Sequence, residues 1–275
     1  MKTLICVPVY GGLDSVERCL DALAAATVAA ERRVLLIDDA SPDARIAPLL
    51  ARYALTMANT QYRRNRSNRG FTWNVNQAFT AAQPDEAVCL LNSDTLVTTG
   101  WLNAMLGCLA EDERIGTVTP FSNNATICSW PDFSQAWPVP PPAERERIAA
   151  ALRKAPAAAI DLPTGVGFCL LISPSCRAAV GRFDVENFPR GYGEENDFCM
   201  RAAAAGFRNV LCPNAYVAHE GGASFSGERR ALMEVGAARL LAKHPGYDEA
   251  VAAWIAADPA RPRRLERSAA LAASR

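Results

Sequence analysis

The chain has 275 residues, half of them hydrophobic and about a fifth charged, and its 29 basic residues balance its 29 acidic ones. This length and composition are ordinary for a soluble globular protein with a full hydrophobic core. The balanced charge excludes a strong overall attraction to nucleic acid or to a membrane surface.

The cysteines and the N-terminus bear on the cellular compartment. The nine cysteines are scattered singly, mostly within apolar runs, and two histidines cannot complete a zinc site with them. Reduced, buried cysteines are therefore expected, which favours the cytoplasm. No signal peptide precedes the first apolar run, and no uncharged run is long enough to span a membrane. We expect a cytoplasmic protein, with peripheral contact at the inner membrane face as the alternative.

Apolar runs and helical periodicity alternate through the first part of the chain. Short apolar runs predict strands at Leu4–Val9, Val34–Ile37 and Ala87–Leu91, with a weaker one at Thr60–Tyr62. Helical spacing fills the intervals, and Phe71–Ala82 is one such helix. The alternation predicts an α/β fold with a mostly parallel sheet flanked by helices. Polar loops follow three of these strands, at the edge where open α/β sheets bind ligands.

The second part of the chain is less regular. Apolar patterns predict a helix at Trp101–Leu109 and strands at Ile115–Val118 and Gly167–Ile172. Between them, Pro120–Pro142 is rich in proline, asparagine and aromatic residues, which suits either a lid or acceptor surface or a packed irregular connection. From Pro259 onward we expect a solvated, arginine-rich tail, with a frayed helix, a partner-binding segment or a membrane contact as alternatives.

Polar residues at the strand ends could bind a ligand. Asp38 and Asp39 close the second strand, where carboxylates can bind a nucleoside or simply cap the next turn. Asn92 and Asp94 follow a later strand and could hold a hard divalent cation against a diphosphate, although Asn-x-Asp alone is a common turn sequence. His219 precedes a glycine-rich loop and is a candidate further metal ligand.

Three acidic residues crowd the start of one predicted helix. Glu194, Glu195 and Asp197 follow a Gly-Tyr-Gly turn and precede an alanine-rich run. The helix dipole stabilises acids near a helix N-terminus, which accounts for one or two of them. Mutual repulsion in so tight a cluster should raise the pKa of at least one carboxyl toward that of a working base.

Missing motifs narrow the function. No Gly-x-Gly-x-x-Gly follows the first strand, which disfavours a dinucleotide-dependent dehydrogenase. No Walker lysine loop and no Gly-x-Ser-x-Gly motif occur, which argues against P-loop ATPases and α/β-hydrolases. No pattern of basic and aromatic residues predicts nucleic-acid binding.

Five short motifs carry a resemblance to a known family. They are Val7-Pro8-Val9-Tyr10, Ile37-Asp38-Asp39-Ala40-Ser41, Asn68-Arg69-Gly70-Phe71, Leu91-Asn92-Ser93-Asp94-Thr95 and Gly193-Glu194-Glu195-Asn196-Asp197. In this order and at this spacing, the chain from about Leu4 to about Phe225 resembles the family-two inverting glycosyltransferases with the GT-A fold, among which a bacterial rhamnosyltransferase-like branch is one option. Asn76 also resembles a recurrent asparagine of that family.

The resemblance implies a donor site at the sheet edge. The nucleotide of a UDP- or dTDP-sugar would be held by a set of eight residues, namely Pro8, Tyr10, Asp38, Asp39, Asn68, Arg69, Asn76 and Asn92. Asp94, with His219 as the additional ligand, would bind the Mg²⁺ or Mn²⁺ that bridges the donor diphosphate. Asn92 departs from the aspartate of the family's Asp-x-Asp element.

The resemblance also implies a catalytic base. Glu195 would take the proton of an acceptor hydroxyl as that hydroxyl attacks the anomeric carbon from the face opposite the nucleotide, so that the configuration inverts. The family usually has aspartate at this position, so Glu194 and Asp197 are the alternatives. The expected acceptor is a glycan, a lipid-linked molecule or a small molecule, in the synthesis of a surface glycan or glycoconjugate.

We therefore expect a GT-A domain at 1–225, with a nucleotide-sugar half at 1–120 and an acceptor and catalytic half at 121–225. A helical extension and basic tail would follow at 226–275. Two other functions stay open. A sugar-phosphate nucleotidyltransferase would need a glycine-rich, lysine-bearing loop, which Tyr10-Gly11-Gly12-Leu13 does not supply. A non-catalytic nucleotide-sugar-binding or scaffold module would be favoured by loss of the base, but Glu195 is present.

Overall fold

Strands and helices alternate in the first half of the chain, as the apolar pattern predicts. The computed structural model describes residues 1–26, 32–154, 157–221 and 227–272. The elements of the first half are β1 (Thr3–Val9), α1 (Leu13–Ala26), β2 (Arg32–Asp38), α2 (Ile46–Thr56), β3 (Thr60–Arg64), α3 (Phe71–Ala81), β4 (Ala87–Leu91), β5 (Thr95–Val97), α4 (Trp101–Leu109) and β6 (Ile115–Phe121).

Within the described residues, the second half adds three strands and all of the remaining helices. After a short 3-10 turn (Thr126–Cys128) come α5 (Pro142–Arg153), β7 (Ile160–Leu162), β8 (Cys169–Ile172), α6 (Pro174–Val180), α7 (Glu194–Ala204), β9 (Arg208–His219), α8 (Gly227–Lys243), α9 (Tyr247–Ala257) and α10 (Arg261–Ala272). Because three residues are too few to show periodicity, the pattern does not predict β5 and β7.

One sheet organises the described residues. Its strand order is β3-β2-β1-β4-β8-β6-β9-β5, and β7 pairs with β9 off this path. Strands β1 to β4 are mutually parallel, whereas β8 runs antiparallel to both β4 and β6. The carboxyl ends of β1, β2 and β4 therefore lie at one edge, where the polar loops after these strands meet.

The sheet separates two apolar layers. Along β1, Ile5 and Val7 belong to one layer, whereas Leu4 and Cys6 belong to the other, since successive side chains of a strand point to opposite faces. Helices α1, α2, α4 and α5 cover the first layer, and α3, α6 and α7 cover the second. All nine cysteines are free and buried.

The arginine-rich C-terminal segment is not a solvated tail, and that prediction is wrong. The residues at 261–272 form α10, and Arg263, Arg264 and Arg267 are buried. The Arg263 guanidinium donates to the carbonyl of Leu152 at 3.1 Å, and that of Arg264 lies over the Phe133 ring. Arginine can be buried where carbonyls and aromatic faces replace its hydration. None of the described helices is both long and apolar enough to cross a membrane.

Candidate functional site

Strand register brings Asp94 and His219 together. β5 begins directly after Asp94 and runs antiparallel to the end of β9, with Thr95 opposite His219. Beyond this pair, the backbone N–H of Glu220 donates to the Asp94 carbonyl oxygen at 2.9 Å. His219 Nε2 lies 3.4 Å from Asp94 Oδ1 as a result. Two residues far apart in the chain thus share one point at the sheet edge.

The segment after β6 fixes the His219 ring. The Asn123 side chain accepts the backbone N–H of His219 at 2.9 Å and donates to its carbonyl at 3.0 Å. His219 Nδ1 lies 2.8 Å from the Asn124 carbonyl oxygen, and Phe168 stacks on the ring. A carbonyl oxygen can only accept, so Nδ1 of the neutral ring carries the hydrogen and the Nε2 lone pair faces Asp94. This part of the Pro120–Pro142 segment is therefore a packed connection that supports the site.

The donor set of Asp94 and His219 fits a divalent cation. With the hydrogen on Nδ1, Nε2 of the neutral ring offers a lone pair, and a cation bound between it and the Asp94 carboxylate would be attracted by both. Carboxylate and imidazole ligands are compatible with Mg²⁺ or Mn²⁺. Among the residues that the structure describes, no three His, Cys, Asp or Glu side chains form a group that could hold a metal. The pair therefore suits an ion that takes its remaining ligands from water and a bound diphosphate.

Glycines shape the turn that carries the acidic cluster. Gly191, Tyr192 and Gly193 all have positive φ angles, of 93°, 66° and 125°, in the region that favours glycine. A β-carbon at Gly193 would lie 2.8 Å from the Phe188 ring, and one at Gly236 of α8 would overlap the Tyr192 carbonyl oxygen. Gly193 of the turn and Gly236 of α8 therefore both have to be glycine. At Gly236, α8 packs directly on the backbone of the turn.

Glu195 lies beside this turn with its carboxyl group against Gly167. A β-carbon at Gly167 would be 3.3 Å from the Glu195 carboxyl carbon. Burial raises the pKa of Glu195, and backbone hydrogen bonds, including one from Gly167, oppose that rise. The side chain still keeps partial access to solvent. A carboxyl group with a raised pKa and an open side can exchange a proton with a ligand.

Glu194 has different surroundings from its neighbour. It is only 4% exposed, and its Oε2 has no hydrogen-bond partner. Burial, and then the charge of Glu195, hold the pKa of Glu194 well above its usual range. The protonated form of Glu194 is therefore favoured, and its carboxyl can donate a hydrogen bond.

Asp197 does not join the other two acids. It is fully buried and accepts hydrogen bonds from Arg201 Nε and His244 Nε2, each at 2.9 Å. Lys243 Nζ lies 2.7 Å from Asp197 Oδ1. Burial alone would raise the pKa of Asp197, but these donors outweigh it and leave the pKa below its usual value. Asp197 thus joins α7 to the end of α8.

Asp38 and Asp39 both bind protein groups. Asp39 accepts hydrogen bonds from the Asn65 amide at 2.7 Å and from the backbone N–H groups of Arg69 at 2.8 Å and Gly70 at 2.9 Å. Asp38 is fully buried, where it pairs with Arg64 and accepts from the Ser41 N–H. Asp39 therefore shapes the loop before α3, and Asp38 anchors the end of β2.

The remaining candidates divide into two groups. Tyr10, Asn68 and Arg69 are exposed at the sheet edge, beside the ends of β1 and β2. Pro8 is buried within β1. Asn76 is also buried, and its amide bonds both to the N–H and to the carbonyl of Phe183 at 3.0 Å. Both of its polar atoms are used inside the protein, so the structure does not bring Asn76 to the edge.

A cavity of about 340 Å³ lies between the two parts of the site. It is lined by Phe71, Asn92, Val166, Gly167, Phe168, Arg190, Gly191, Tyr192, Glu194, Glu195 and His219. Sequence reasoning did not single out the stretch from Val166 to Phe168 or Arg190. The stretch from Val166 to Phe168 could have been found from the sequence Thr-Gly-Val-Gly-Phe before a buried strand, because glycines there allow close approach to a ligand.

A family comparison identifies the chain. The family model described as Glycosyl transferase family 2 matches residues 4–171, which is more than half of the chain. The chain belongs to glycosyl transferase family 2. The resemblance predicted from the motifs is thereby confirmed. The matched part of this family-two glycosyltransferase includes Asp39 and Asp94 and ends before Glu195 and His219. No curated protein matches the chain significantly.

Solved structures show which fold the family-two chain has. The mannosyltransferase PcManGT from Pyrobaculum calidifontis, in complex with GDP-Man and Mn²⁺, is 18% identical, with a TM-score of 0.67 over 99% of this chain and 74% of its own. TarS 1-349 of S. aureus, in complex with UDP-GlcNAc, is 17% identical, with a TM-score of 0.59 over 93% of this chain and 72% of its own.

GalNAc-T7, crystallised with UDP, GalNAc and Mn²⁺, is 16% identical, with a TM-score of 0.62 over 80% of this chain. This chain spans 44% of the GalNAc-T7 chain, less than half of its length. These likenesses confirm the predicted α/β fold of the GT-A type, a central sheet flanked by helices.

Proposed function

We propose that this family-two glycosyltransferase moves a sugar from a UDP- or dTDP-sugar to an acceptor hydroxyl, with inversion at the anomeric carbon, in the synthesis of a glycan or glycoconjugate. One observation carries the proposal. A single cavity borders on Glu195 at one side and on Asn92 and His219 at the other. A sugar diphosphate in this cavity would have its leaving group near Asp94 and His219 and its anomeric carbon nearer Glu195.

Glu195 is the proposed base. Its carboxylate takes the proton from the acceptor hydroxyl as the oxygen bonds to the anomeric carbon, and the bond from that carbon to the donor phosphate oxygen breaks. The raised pKa of Glu195 brings its proton affinity closer to neutral pH, where a base works best. A protonated Glu194 would hydrogen-bond the donor sugar from the same wall.

Asp94 and His219 are the proposed ligands of Mg²⁺ or Mn²⁺. When bound, this ion supplies positive charge that stabilises the diphosphate leaving group. Asp39 holds the loop that positions Arg69 and so shapes the nucleotide end of the site. Three glycosyltransferase structures similar to this chain carry a nucleotide or nucleotide sugar, and two of them carry Mn²⁺, which supports this donor class and a metal.

Thermal stabilisation by a panel of nucleoside diphosphates, with and without Mn²⁺, tests the donor site. We expect a shift in melting temperature that is selective for one base and requires the metal. Because Asp94 and His219 are the proposed metal ligands, the variants Asp94→Ala and His219→Ala should lose the shift. The control variant Asn76→Ala should keep a shift that still requires the metal.

If no nucleoside diphosphate stabilises the protein in the presence of Mn²⁺ or Mg²⁺, the donor site is wrong. A shift that survives in Asp94→Ala would instead place the metal elsewhere.

A further inference from the structure

A second cavity, of about 380 Å³, also borders on Glu195. It shares Val166, Tyr192 and Glu195 with the first cavity, so the two meet at the proposed base. Its other walls come from distant parts of the chain, namely Thr126, Ile127, Thr164, Gly165, Gly193, Asn196, Met233, Tyr247, Val251 and Ile255. Its size is within the range in which pockets hold small ligands.

The walls of this second cavity are mostly apolar and carry no positive charge. No lysine or arginine is among the residues that line it in the described part of the chain. Two of its polar side chains bond to each other, since the Asn196 amide donates to Thr164 Oγ1 at 2.9 Å. Glu195 is the one acid in the lining set, which leaves the charge of the cavity negative or neutral.

The outer rim of the second cavity exposes large apolar side chains. Met233 of α8 is 47% exposed and Ile255 of α9 is 43% exposed. Exposed apolar side chains that converge on a cavity are a feature of ligand sites rather than of ordinary surface. Helices α8 and α9 therefore form an apolar entrance to the cavity, and the Glu195 carboxylate lies further inside.

We propose that the second cavity binds the acceptor, and that this acceptor is an uncharged molecule whose nucleophilic hydroxyl sits on an aryl or alkyl body. The inference rests on the proposed function, because it requires Glu195 to be the base. The apolar body would lie against Ile127, Val251 and Ile255, and the hydroxyl would lie where the two cavities meet, beside both the Glu195 carboxylate and the anomeric carbon. Its proton passes to the Glu195 carboxylate, its oxygen bonds to the anomeric carbon, and the nucleoside diphosphate leaves with the electron pair.

The charge of the second cavity disfavours the other acceptor classes. A pyrophosphate-linked acceptor would place negative charge beside Glu195 with no lining cation to pair with it. A free sugar would need hydrogen-bonding partners at the rim as well, where Met233 and Ile255 offer none. An apolar body instead replaces water along the walls, which is favourable.

Binding of naphthol and naphthyl phosphate, measured by calorimetry, tests this assignment without a donor. The two probes share an aromatic body and differ in charge. We expect naphthol to bind the protein at least about tenfold more tightly than naphthyl phosphate. Equal or reversed affinities would overturn the proposed acceptor class.

Met233→Asp and Val235→Asp form a matched pair that locates the binding. The two residues lie on α8 and are 47% and 48% exposed, but only Met233 lines the cavity. We expect Met233→Asp and Ile255→Asp to weaken naphthol binding by about tenfold or more, and Val235→Asp to leave it unchanged. Nucleoside diphosphates with Mn²⁺ should still stabilise all three variants, which shows that they fold. Equal losses in Met233→Asp and Val235→Asp would overturn the location.

The two proposals fail separately. A protein that responds to a nucleoside diphosphate but binds no naphthol keeps its proposed function and loses this inference. Naphthol binding that depends on Met233, without any response to nucleotides, would overturn both the transfer function and the acceptor role of the ligand.

Discussion

Glu194 and Glu195 are adjacent in sequence, yet their carboxyl groups meet different surroundings. Gly167 and other backbone donors lie near Glu195 and partly offset the effect of its burial. Glu194 has a buried oxygen without a partner, and the charge of Glu195 acts on it as well. Repulsion within the acidic cluster was predictable from spacing. Which of the two carboxyls keeps its proton depends on burial, which the sequence does not give.

Glu195→Gln should abolish transfer and spare donor binding. Glutamine keeps the shape of the side chain but cannot accept the acceptor proton. We expect kcat to fall by about 10²- to 10⁴-fold, while stabilisation by nucleoside diphosphate and Mn²⁺ stays at the wild-type level. Nucleotide release measured with the cognate donor gives the rate. Unchanged turnover would remove Glu195 from the role of base.

Glu194→Gln should change how stability depends on pH. Since the folded-state pKa of Glu194 is raised above the ordinary 4.5, its contribution is fully present below that value and is lost as pH rises through the folded-state pKa. Glutamine removes this loss. We expect the melting temperature of Glu194→Gln, relative to the wild type, to increase between about pH 5 and pH 8. Parallel curves for the two proteins would contradict a protonated Glu194.

At the scale of elements, the metal pair depends on how β5 meets β9. Asp94 was predictable from its position after an apolar strand. Its contact with His219 was not, because it rests on a three-residue pairing between β5 and β9 that leaves no periodic signal. The burial of the α10 arginines was not predicted either, because charged residues in a sequence usually indicate exposed surface.

Two glycines of this chain should respond to alanine in opposite ways. Gly70 precedes α3 with a φ of 85°, and a β-carbon there would overlap the Pro189 carbonyl oxygen. Gly107 lies in α4 with open space around it. We expect Gly70→Ala to lower the free energy of unfolding by about 1–3 kcal/mol, and Gly107→Ala to raise it by about 0.5–1 kcal/mol. Urea denaturation measures both, and equal effects would contradict the close contact at Gly70.

Asp197 should matter for stability rather than for chemistry. Replacing it by asparagine leaves Arg201, Lys243 and His244 without their shared negative partner. We expect Asp197→Asn to lower the free energy of unfolding by about 3 kcal/mol, because removal of one member of a buried ionic group is strongly destabilising.

Glu234→Gln is the control for the loss of a charge on α8. Glu234 pairs with Arg230, and both side chains are largely exposed, so its effect should stay below about 1 kcal/mol. Equal effects of Asp197→Asn and Glu234→Gln in urea denaturation would show that Asp197 does not anchor α8.

Across the whole molecule, predictability follows the distance between contacting residues. The α/β sheet and its ligand edge came from local periodicity and from polar residues at strand ends. Asn76 was predicted to lie at the ligand edge because it resembles a recurrent asparagine of the family. Its amide instead bonds to Phe183, which is distant in the sequence, and the resemblance does not reveal that contact. Ile127, Val166 and Ile255 line the second cavity together, and no local sequence pattern predicts that they are close in the fold.

The contact between Gly236 and the Tyr192 carbonyl bears on how this protein could be re-engineered. At that point the backbone of α8 lies so close to the Tyr192 carbonyl oxygen that no β-carbon fits between them. The end of α8 is also held by side chains, because Lys243 and His244 both bind Asp197. A chimaera that grafts α8 and α9 from another glycosyltransferase needs a glycine at position 236 and partners for Asp197 at positions 243 and 244. If α8 and α9 line the acceptor site as proposed, such a chimaera would change its acceptor preference and keep its donor.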